Sequence, residues 1–139
     1  MMGVGIKVDF LWFPLGNGDF VHSFFSTVCY NLENGAWGSR FPCLMNCLYQ
    51  GEISHENVDE LRDELLIIQK EFLTLSTEKI IWDIEDLSKQ PPWGEDISPK
   101  ITSLSNYFVT SDGEDLFNEM FKAIHESQAE KQSIILESL

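Results

Sequence analysis

Basic residues are scarce in this sequence. Nine Lys and Arg residues stand against 23 Asp and Glu residues, which gives a formal net charge of −14 at pH 7. Nucleic acids and anionic membrane surfaces are bound mainly through Lys and Arg, which neutralise phosphate. The scarcity therefore argues against direct binding of nucleic acid or membrane. The same negative field would attract a basic protein and speed its encounter with this chain.

Long hydrophobic runs are also missing. Polar residues interrupt the most apolar stretches before they reach the roughly 18 residues of a membrane span. The interruptions are Asp9, Asn17, Asp19, Asn31 and Asn46. The N-terminal residues, MMGVGIKVD, do not have the basic and then apolar order of a signal peptide. These two absences predict a cytoplasmic protein.

Cysteine is rare and follows no motif. Cys29, Cys43 and Cys47 form an odd set without a CxxC pair, and no His cluster stands at metal-ligand spacing. We expect a reducing compartment and buried, unreactive thiols, since free Cys is among the most buried residue types. The cysteines and histidines therefore predict no metal site, and we expect no cofactor.

Apolar and aromatic residues, in contrast, are plentiful. Hydrophobic residues make up 43% of the 139 residues and aromatic residues 12%, with ten Phe and four Trp. Such a chain can bury a core without disulfides or metal, and it is short for two domains. We therefore expect one domain over residues 1–139.

The periodicity of the apolar residues predicts an α+β fold. Alternation predicts strands at 4–13, 79–84, 106–110 and, as an edge strand, 132–136. Spacings of three and four predict helices at 19–32, 43–50, 54–75 and from a cap at Ser111 or Asp112 through Ile124. A break is expected at 14–18, where Pro and Gly cluster. The predicted order is β-α-α-α-β-β-α-β, a small mixed sheet of about four strands covered by helices.

Two short patterns give only weak indications of catalysis. Gly-Asn-Gly at 16–18 resembles half of a dinucleotide-binding fingerprint, but Val21 stands where the third glycine belongs and Asp19 would repel a pyrophosphate. His22 and Ser26 are four residues apart on a predicted helix and could touch, although nothing around them resembles a nucleophile elbow. Neither pattern predicts an enzyme.

Acidic residues concentrate on both sides of a Pro-Pro-Trp-Gly turn. The set comprises Asp83, Glu85, Asp86, Glu95 and Asp96, with Trp82 and Trp93 beside them. Three interpretations are open: a Mg²⁺ or Ca²⁺ site or acid and base pair, a protein-binding hot spot with an aromatic anchor, and a solvated loop. The order of an EF-hand loop is missing, and protein binding is the favoured interpretation.

Five sequence blocks, taken in order, resemble the immunity protein 70 family of bacterial polymorphic toxin systems. The blocks are GSRFP at 38–42, LYQG at 48–51, WDIEDL at 82–87, PPWG at 91–94 and LSNYFVTSDG at 104–113, within a likeness over roughly residues 3–125. The resemblance implies a non-enzymatic antitoxin that binds the C-terminal domain of a cognate toxin, secreted or delivered by cell contact, in the cytoplasm. Many such toxins are nucleases, whose basic clefts an inhibitor's carboxylates can occlude.

The two lines of inference together predict a toxin-binding site. Its expected residues are Asp83, Glu85, Asp86, Trp93, Glu95 and Asp96. The alternative surface is the acidic face of the helix predicted at 54–75, with Asp59, Glu60, Asp63 and Glu64. Arg40 is expected to anchor the loop at 36–42 to a carboxylate. Two other functions stay open: a small metal-dependent enzyme using the carboxylates of 83–96, and a structural or chaperone-like protein without a toxin partner.

Overall fold

The computed structural model, which describes residues 3–94 and 96–138, contains a four-stranded antiparallel sheet and three long helices. The strands are β1 (Gly3–Val8), β2 (Leu11–Asn17), β3 (Glu52–Ile53) and β4 (Ile134–Ser138), in the spatial order β2-β1-β4-β3. The long helices are α1 (Gly18–Leu32), α2 (Val58–Phe72) and α3 (Leu116–Glu130). A π-helical segment spans Cys43–Leu48, and 3₁₀ turns span His55–Asn57, Thr77–Lys79 and Leu104–Asn106. The predicted α+β class with about four strands is confirmed, but the sheet is antiparallel and not mixed.

The first two strands form a hairpin where one strand was predicted. The chain reverses at Asp9, whose φ of 53° lies in the left-handed region, so that Lys7 pairs with Trp12. The break predicted at 14–18 is wrong, because β2 continues through Pro14 to Asn17. Proline lacks a backbone N–H, and β2 tolerates it at the edge of the described sheet.

Helix α1 begins and ends close to the predicted positions. The side chain of Asn17 accepts a hydrogen bond from the Phe20 N–H at 2.9 Å and caps the N-terminus. At the other end, Asn34 and Gly35 both have positive φ angles and direct the chain away from the helix axis. The helix predicted at 19–32 is therefore confirmed.

The strand predicted at 79–84 is wrong, because its backbone groups are bonded to side chains of α1. These side chains are Ser23, Ser26, Thr27 and Asn31. Both the N–H and the carbonyl of Ile81 bond to the Thr27 hydroxyl, and the Ile84 N–H donates to Ser26 at 3.1 Å. A row of hydroxyls on a buried helix face thus takes the place of a neighbouring strand.

The strand predicted at 106–110 is reduced to a bridge. Val109 pairs with Asp115 in an isolated antiparallel bridge, and the next turn bonds the Thr110 N–H to the Glu114 carbonyl at 2.7 Å. The cap predicted at Ser111 or Asp112 is also wrong, because Asp115 caps α3 by accepting from the Asn118 N–H. The turn at 110–114 therefore contains both Ser111 and Asp112, and the helix begins only after it.

The last strand lies inside the sheet and not at its edge. Strand β4 pairs with β1 on one side and with the short β3 on the other, both antiparallel. The prediction of an edge strand at 132–136 is therefore wrong in position and by about two residues in bounds. The two-residue β3 was not predicted, since it is too short to show alternation.

Phenylalanine rings form the centre of the core. Phe24 of α1 packs edge-on against Phe108 at 5.3 Å, Phe117 at 5.5 Å and Phe72 at 6.3 Å between ring centroids. The core therefore joins α1, α2, α3 and Phe108, which follows the turn at 104–106. Within the two described ranges, no helix is long and apolar enough to cross a membrane.

The thiols differ in exposure. Cys29 and Cys43 are buried, as expected, whereas Cys47 is exposed. Helix α2 covers Cys43, and Cys47 lies farther along the π-helical segment, so the prediction of a buried thiol is wrong for Cys47.

Candidate functional site

The acidic loop, defined as residues 83–96, is closed at its base by two tryptophans. Trp82 packs edge-on against Trp93, with 5.4 Å between ring centroids. The Trp93 indole N–H donates to the Tyr107 hydroxyl at 2.8 Å, and Tyr107 is buried against Phe108. Burial raises the pKa of Tyr107, so its hydroxyl stays protonated at neutral pH. Trp93 is 37% exposed, and it therefore fastens the loop to the core while presenting part of its ring.

Asp83 makes the side-chain contacts that hold the start of the acidic loop. Its carboxylate accepts from the Glu85 N–H at 2.9 Å and lies 3.3 Å from the His22 Nε2 and 3.4 Å from the Lys89 Nζ. The bond from the Glu85 N–H lowers the pKa of Asp83, and His22 and Lys89 lower it further. Asp83 is half-buried and these three partners surround it, so it shapes the loop more than it displays charge.

His22 joins the acidic loop to the segment that follows the π-helical residues. Its Nδ1 lies 2.8 Å from the Tyr49 hydroxyl, and its Nε2 faces Asp83. Burial raises the pKa of Tyr49, and the negative charges of Glu85 and Asp83 raise it further. The sequence pairs His22 with Ser26 by spacing alone, and this pairing is not what the structure shows. No local signal identifies Tyr49 or Asp83 as partners, since they are 27 and 61 residues away.

Three carboxylates of the acidic loop point to solvent. Glu85, Asp86 and Asp96 are exposed, while Glu95 lies outside the described residues. Asp86 accepts from the N–H and the hydroxyl of Ser88, at 3.1 and 2.6 Å, and these bonds lower its pKa. The backbone adds turns from Asp86 to Asp83 and from Asp96 to Trp93, at 3.1 and 3.0 Å. The exposed charges therefore stand on a loop with fixed turns.

An apolar cleft of about 360 Å³ lies beside the acidic loop. Its walls come from the start of α1, the chain at 93–101 and the turn before α3. The aromatic and aliphatic lining residues are Phe20, Trp93, Ile97, Ile101, Tyr107 and Val109. Asp96 also lines it, so one wall of the cleft carries an exposed carboxylate.

The metal-dependent alternative requires several ligands in one place. Across residues 3–94 and 96–138, no three His, Cys, Asp or Glu side chains gather at a distance that would bind a metal ion. Asp83 instead bonds to the Glu85 backbone, His22 and Lys89, and Asp86 bonds to Ser88. Asp83 and Asp86 therefore bond within the loop, and the described carboxylates do not gather around one cation position.

The alternative acidic face on α2 has one half-buried carboxylate, Glu64, and three exposed ones. The Glu64 carboxylate accepts from the N–H groups of Cys43 and Leu44, at 3.1 and 2.8 Å, and burial raises its pKa. Glu60 accepts from the Cys43 thiol at 3.2 Å, and Asp59 contacts both Arg62 and Gln128. Asp59, Glu60 and Asp63 are all exposed. This face therefore stays the alternative surface for a partner, without Glu64.

Arg40 lies in a loop that two carboxylates hold. Its guanidinium forms a bidentate pair with Glu71, at 2.6 and 3.1 Å, and also donates to the Leu32 carbonyl at 3.0 Å. Buried Glu33 accepts from the N–H groups of Gly38, Arg40 and Phe41, all within 3.1 Å. Sequence analysis missed Glu33, which reads as an ordinary solvated residue at a helix end. The anchoring role of Arg40 stays a prediction.

Comparison with known families matches residues 6–136 to the model described as Immunity protein 70. Because the match covers nearly the whole chain, the protein is an immunity protein of a polymorphic toxin system. It belongs to the immunity protein 70 family, so its partner is a cognate toxin and it is not expected to be an enzyme. No curated protein and no solved structure matches the chain.

Proposed function

We propose that the acidic loop binds a basic cleft of the cognate toxin and occludes its active site. The observation that carries this proposal is the exposure of Glu85, Asp86 and Asp96 on a loop whose described residues form hydrogen-bonded turns. A loop ordered before binding loses little conformational entropy when it meets its partner, so more of the contact energy contributes to affinity. The toxin meets this loop in the cytoplasm, after secretion or delivery by cell contact.

The charge balance of the acidic loop supports a basic partner. Residues 83–96 contain five acidic residues and one lysine, Lys89. Lys89 pairs with Asp83 at 3.4 Å, so this single lysine is outnumbered by the carboxylates of the loop. Opposite charges of this kind steer encounter, and close pairs in interfaces have coupling energies of about 1.5–7 kcal/mol.

A nuclease is the toxin class that fits this surface best. Nuclease clefts must be basic because they hold the phosphates of nucleic acid. Carboxylates spaced along a fixed loop can occupy such phosphate positions without being cleaved. The partly exposed ring of Trp93 and the adjacent apolar cleft supply the apolar contact typical of interface hot spots.

Charge reversal at the exposed positions tests this proposal. We expect Glu85→Lys, Asp86→Lys and Asp96→Lys each to slow association with the toxin domain encoded beside this gene, and to flatten the dependence of the rate on salt. Stopped-flow kinetics at low and high salt measures both effects, and a nuclease assay measures inhibition. Glu56→Lys is the matched control, because Glu56 is exposed outside the loop and its reversal changes the net charge equally.

The outcomes are separable from loss of folding. Thermal unfolding should be unchanged in all four variants, since none of the replaced side chains is buried. If the three loop variants bind and inhibit the toxin as the control does, the acidic loop is not the binding site. If the toxin is inhibited but has no nuclease activity, the binding surface stands and the nuclease assignment is wrong.

A further inference from the structure

The apolar cleft beside the acidic loop has a buried floor and an exposed rim. Phe20 and Tyr107, both buried, form the floor, whereas Trp93 and Val109, both exposed, form the rim. A Cβ at Gly16 would come within 2.7 Å of the Phe20 ring, so the glycine leaves room for this ring at the floor. The volume of about 360 Å³ is at the lower end of the range for pockets that hold a small ligand. The cleft can therefore admit one long side chain of a partner.

One turn of the chain holds an aromatic ring and a carboxylate together at the rim. The Asp96 N–H donates to the Trp93 carbonyl at 3.0 Å, and the Trp93 indole N–H donates to the Tyr107 hydroxyl at 2.8 Å. Because its N–H group is already bonded, the Trp93 ring offers carbon and π-electron surface to a partner. Asp96 lines the same cleft and is exposed. A partner therefore meets ring surface and a carboxylate side by side.

The charge of the cleft favours a cationic occupant. Among the described residues that line it, Asp96 is the one charged residue. Lys100 follows in the same stretch of chain, but it is exposed and does not line the cleft. An apolar side chain inserted here would remove water from Asp96 without pairing its charge, which opposes binding, whereas a cation supplies the missing partner.

Arginine fits this cleft better than lysine. Its planar guanidinium is weakly hydrated, lies against aromatic rings and donates parallel N–H bonds to one carboxylate. Its methylene groups can be buried against the apolar walls, which include Ile97 and Ile101. The ammonium of lysine is compact and strongly hydrated, so it loses more on leaving water.

We propose that the apolar cleft binds one arginine side chain of the cognate toxin, with the guanidinium against Trp93 and paired with Asp96. This inference rests on the proposed function, because it names what the toxin inserts beside the acidic loop. Exposed carboxylates such as Glu85 and Asp86 act mainly on association, by steering the toxin, whereas a side chain enclosed in a cleft acts mainly on dissociation. The two claims are therefore measured by different rate constants.

Filling the cleft tests whether a toxin side chain enters it. We expect Val109→Trp to raise the dissociation rate of the complex with the toxin domain encoded beside this gene at least about tenfold, measured by surface plasmon resonance. The salt dependence of association should not change, since no charge is altered. Leu73→Trp is the matched control, because Leu73 is an exposed aliphatic residue at the end of α2 and does not line the cleft. Its dissociation rate should equal that of the wild type, and thermal unfolding checks that both variants fold.

Removing the charge of Asp96 tests the pairing with arginine. Asp96→Asn should raise the dissociation rate at least about tenfold more than Glu85→Gln, the matched control, which removes an exposed carboxylate of the same loop outside the cleft. The arginines of the toxin domain are then replaced singly by lysine. One of these replacements should be non-additive with Asp96→Asn, which identifies the inserted side chain.

Two results would overturn the bound arginine. If Val109→Trp dissociates at the wild-type rate, no toxin side chain enters the cleft. If Val109→Trp weakens the complex but Asp96→Asn does not, or if no toxin arginine couples to Asp96, the occupant is not an arginine. In each case, slower association of Glu85→Lys and Asp86→Lys would still support the acidic loop as the binding site, whereas wild-type association of both variants would contradict the proposed function as well.

Discussion

Replacing Thr27 with valine tests whether the hydroxyls of α1 position the chain that leads into the acidic loop. The Thr27 hydroxyl donates to the Ile81 carbonyl at 3.2 Å and accepts from the Ile81 N–H at 3.1 Å. Valine has nearly the shape of threonine but can do neither. Thr27 is completely buried, so the change acts on these two bonds and not on exposure.

The loss of stability expected for Thr27→Val follows from the hydrogen-bond partners that stay in place. Ser23 still donates to the Ile81 carbonyl at 2.8 Å, so that oxygen keeps a hydrogen bond. The Ile81 N–H loses its acceptor, and an unpaired N–H costs about 1–3 kcal/mol when buried. Because Ile81 is half-buried, we expect about 2 kcal/mol. At about 3 °C per kcal/mol for a chain of this size, Tm should fall by about 6 °C.

Amide exchange at Ile81 is the decisive assay. A loss of about 2 kcal/mol corresponds to about 30-fold faster exchange of the Ile81 N–H, measurable by NMR. Thr27→Ser is the control: it loses a buried methyl group, at about 1 kcal/mol, but keeps the hydroxyl and the protection of Ile81. If Thr27→Val leaves both Tm and the Ile81 exchange rate at wild-type values, the hydroxyl row does not hold this segment.

Three further predictions concern the carboxylates and thiols outside the acidic loop. Glu33→Ala should lower the free energy of unfolding by about 3 kcal/mol, because three backbone N–H groups lose a charged acceptor, and urea unfolding measures this loss. Arg40→Ala should cost about 0.5–1 kcal/mol, since the ion pair with Glu71 is partly exposed. Arg40 lowers the pKa of Glu71, so the stability that the ion pair contributes is present above the ordinary carboxyl pKa and is lost as pH falls through the lowered pKa. A Tm difference between Arg40→Ala and the wild type that is equal at pH 7 and pH 3 would contradict this prediction. Burial and the bond to Glu60 raise the pKa of Cys43 to about 12, so at pH 8 a disulfide reagent should modify exposed Cys47 and spare Cys43 until the protein unfolds.

Apolar periodicity was sufficient to predict the helices that bury one continuous face. Helices α1 and α2 follow their predicted spacing because their buried residues contact the same core from end to end. The strand prediction at 79–84 failed for a different reason. Its alternation is real, but the partner of its backbone is the row Ser23, Ser26 and Thr27, and strand propensity does not distinguish a side-chain partner from a strand.

The hairpin of β1 and β2 could not be predicted, because its turn lacks a typical turn sequence. Residues 4–13 alternate without a Gly, Asn-Gly or Asp-Gly pair at the reversal, and Asp9 with Phe10 is an uncommon turn sequence. The same Phe10 is the most exposed large apolar side chain among the described residues.

The acidic loop was visible in the sequence, but its construction was not. Composition identified the carboxylates and Trp93 as neighbours along the chain. Which loop residues are held by contacts and which are exposed depends on residues far away in the chain: His22 faces Asp83, and Tyr107 bonds to Trp93. Contacts between residues far apart in the chain leave no local pattern, so sequence alone could not separate the residues that build the loop from those that it displays.

Hydrogen–deuterium exchange of the chain with and without its cognate toxin domain tests the central claim most directly. We expect binding to slow exchange in peptides covering 83–96, where the turn amides of Asp86 and Asp96 lie, and to leave peptides covering the hairpin at 8–12 at the rate measured for the chain alone. Slowed exchange confined to 58–65 on α2 or to the hairpin, with 83–96 unchanged, would contradict the claim that the acidic loop binds the toxin.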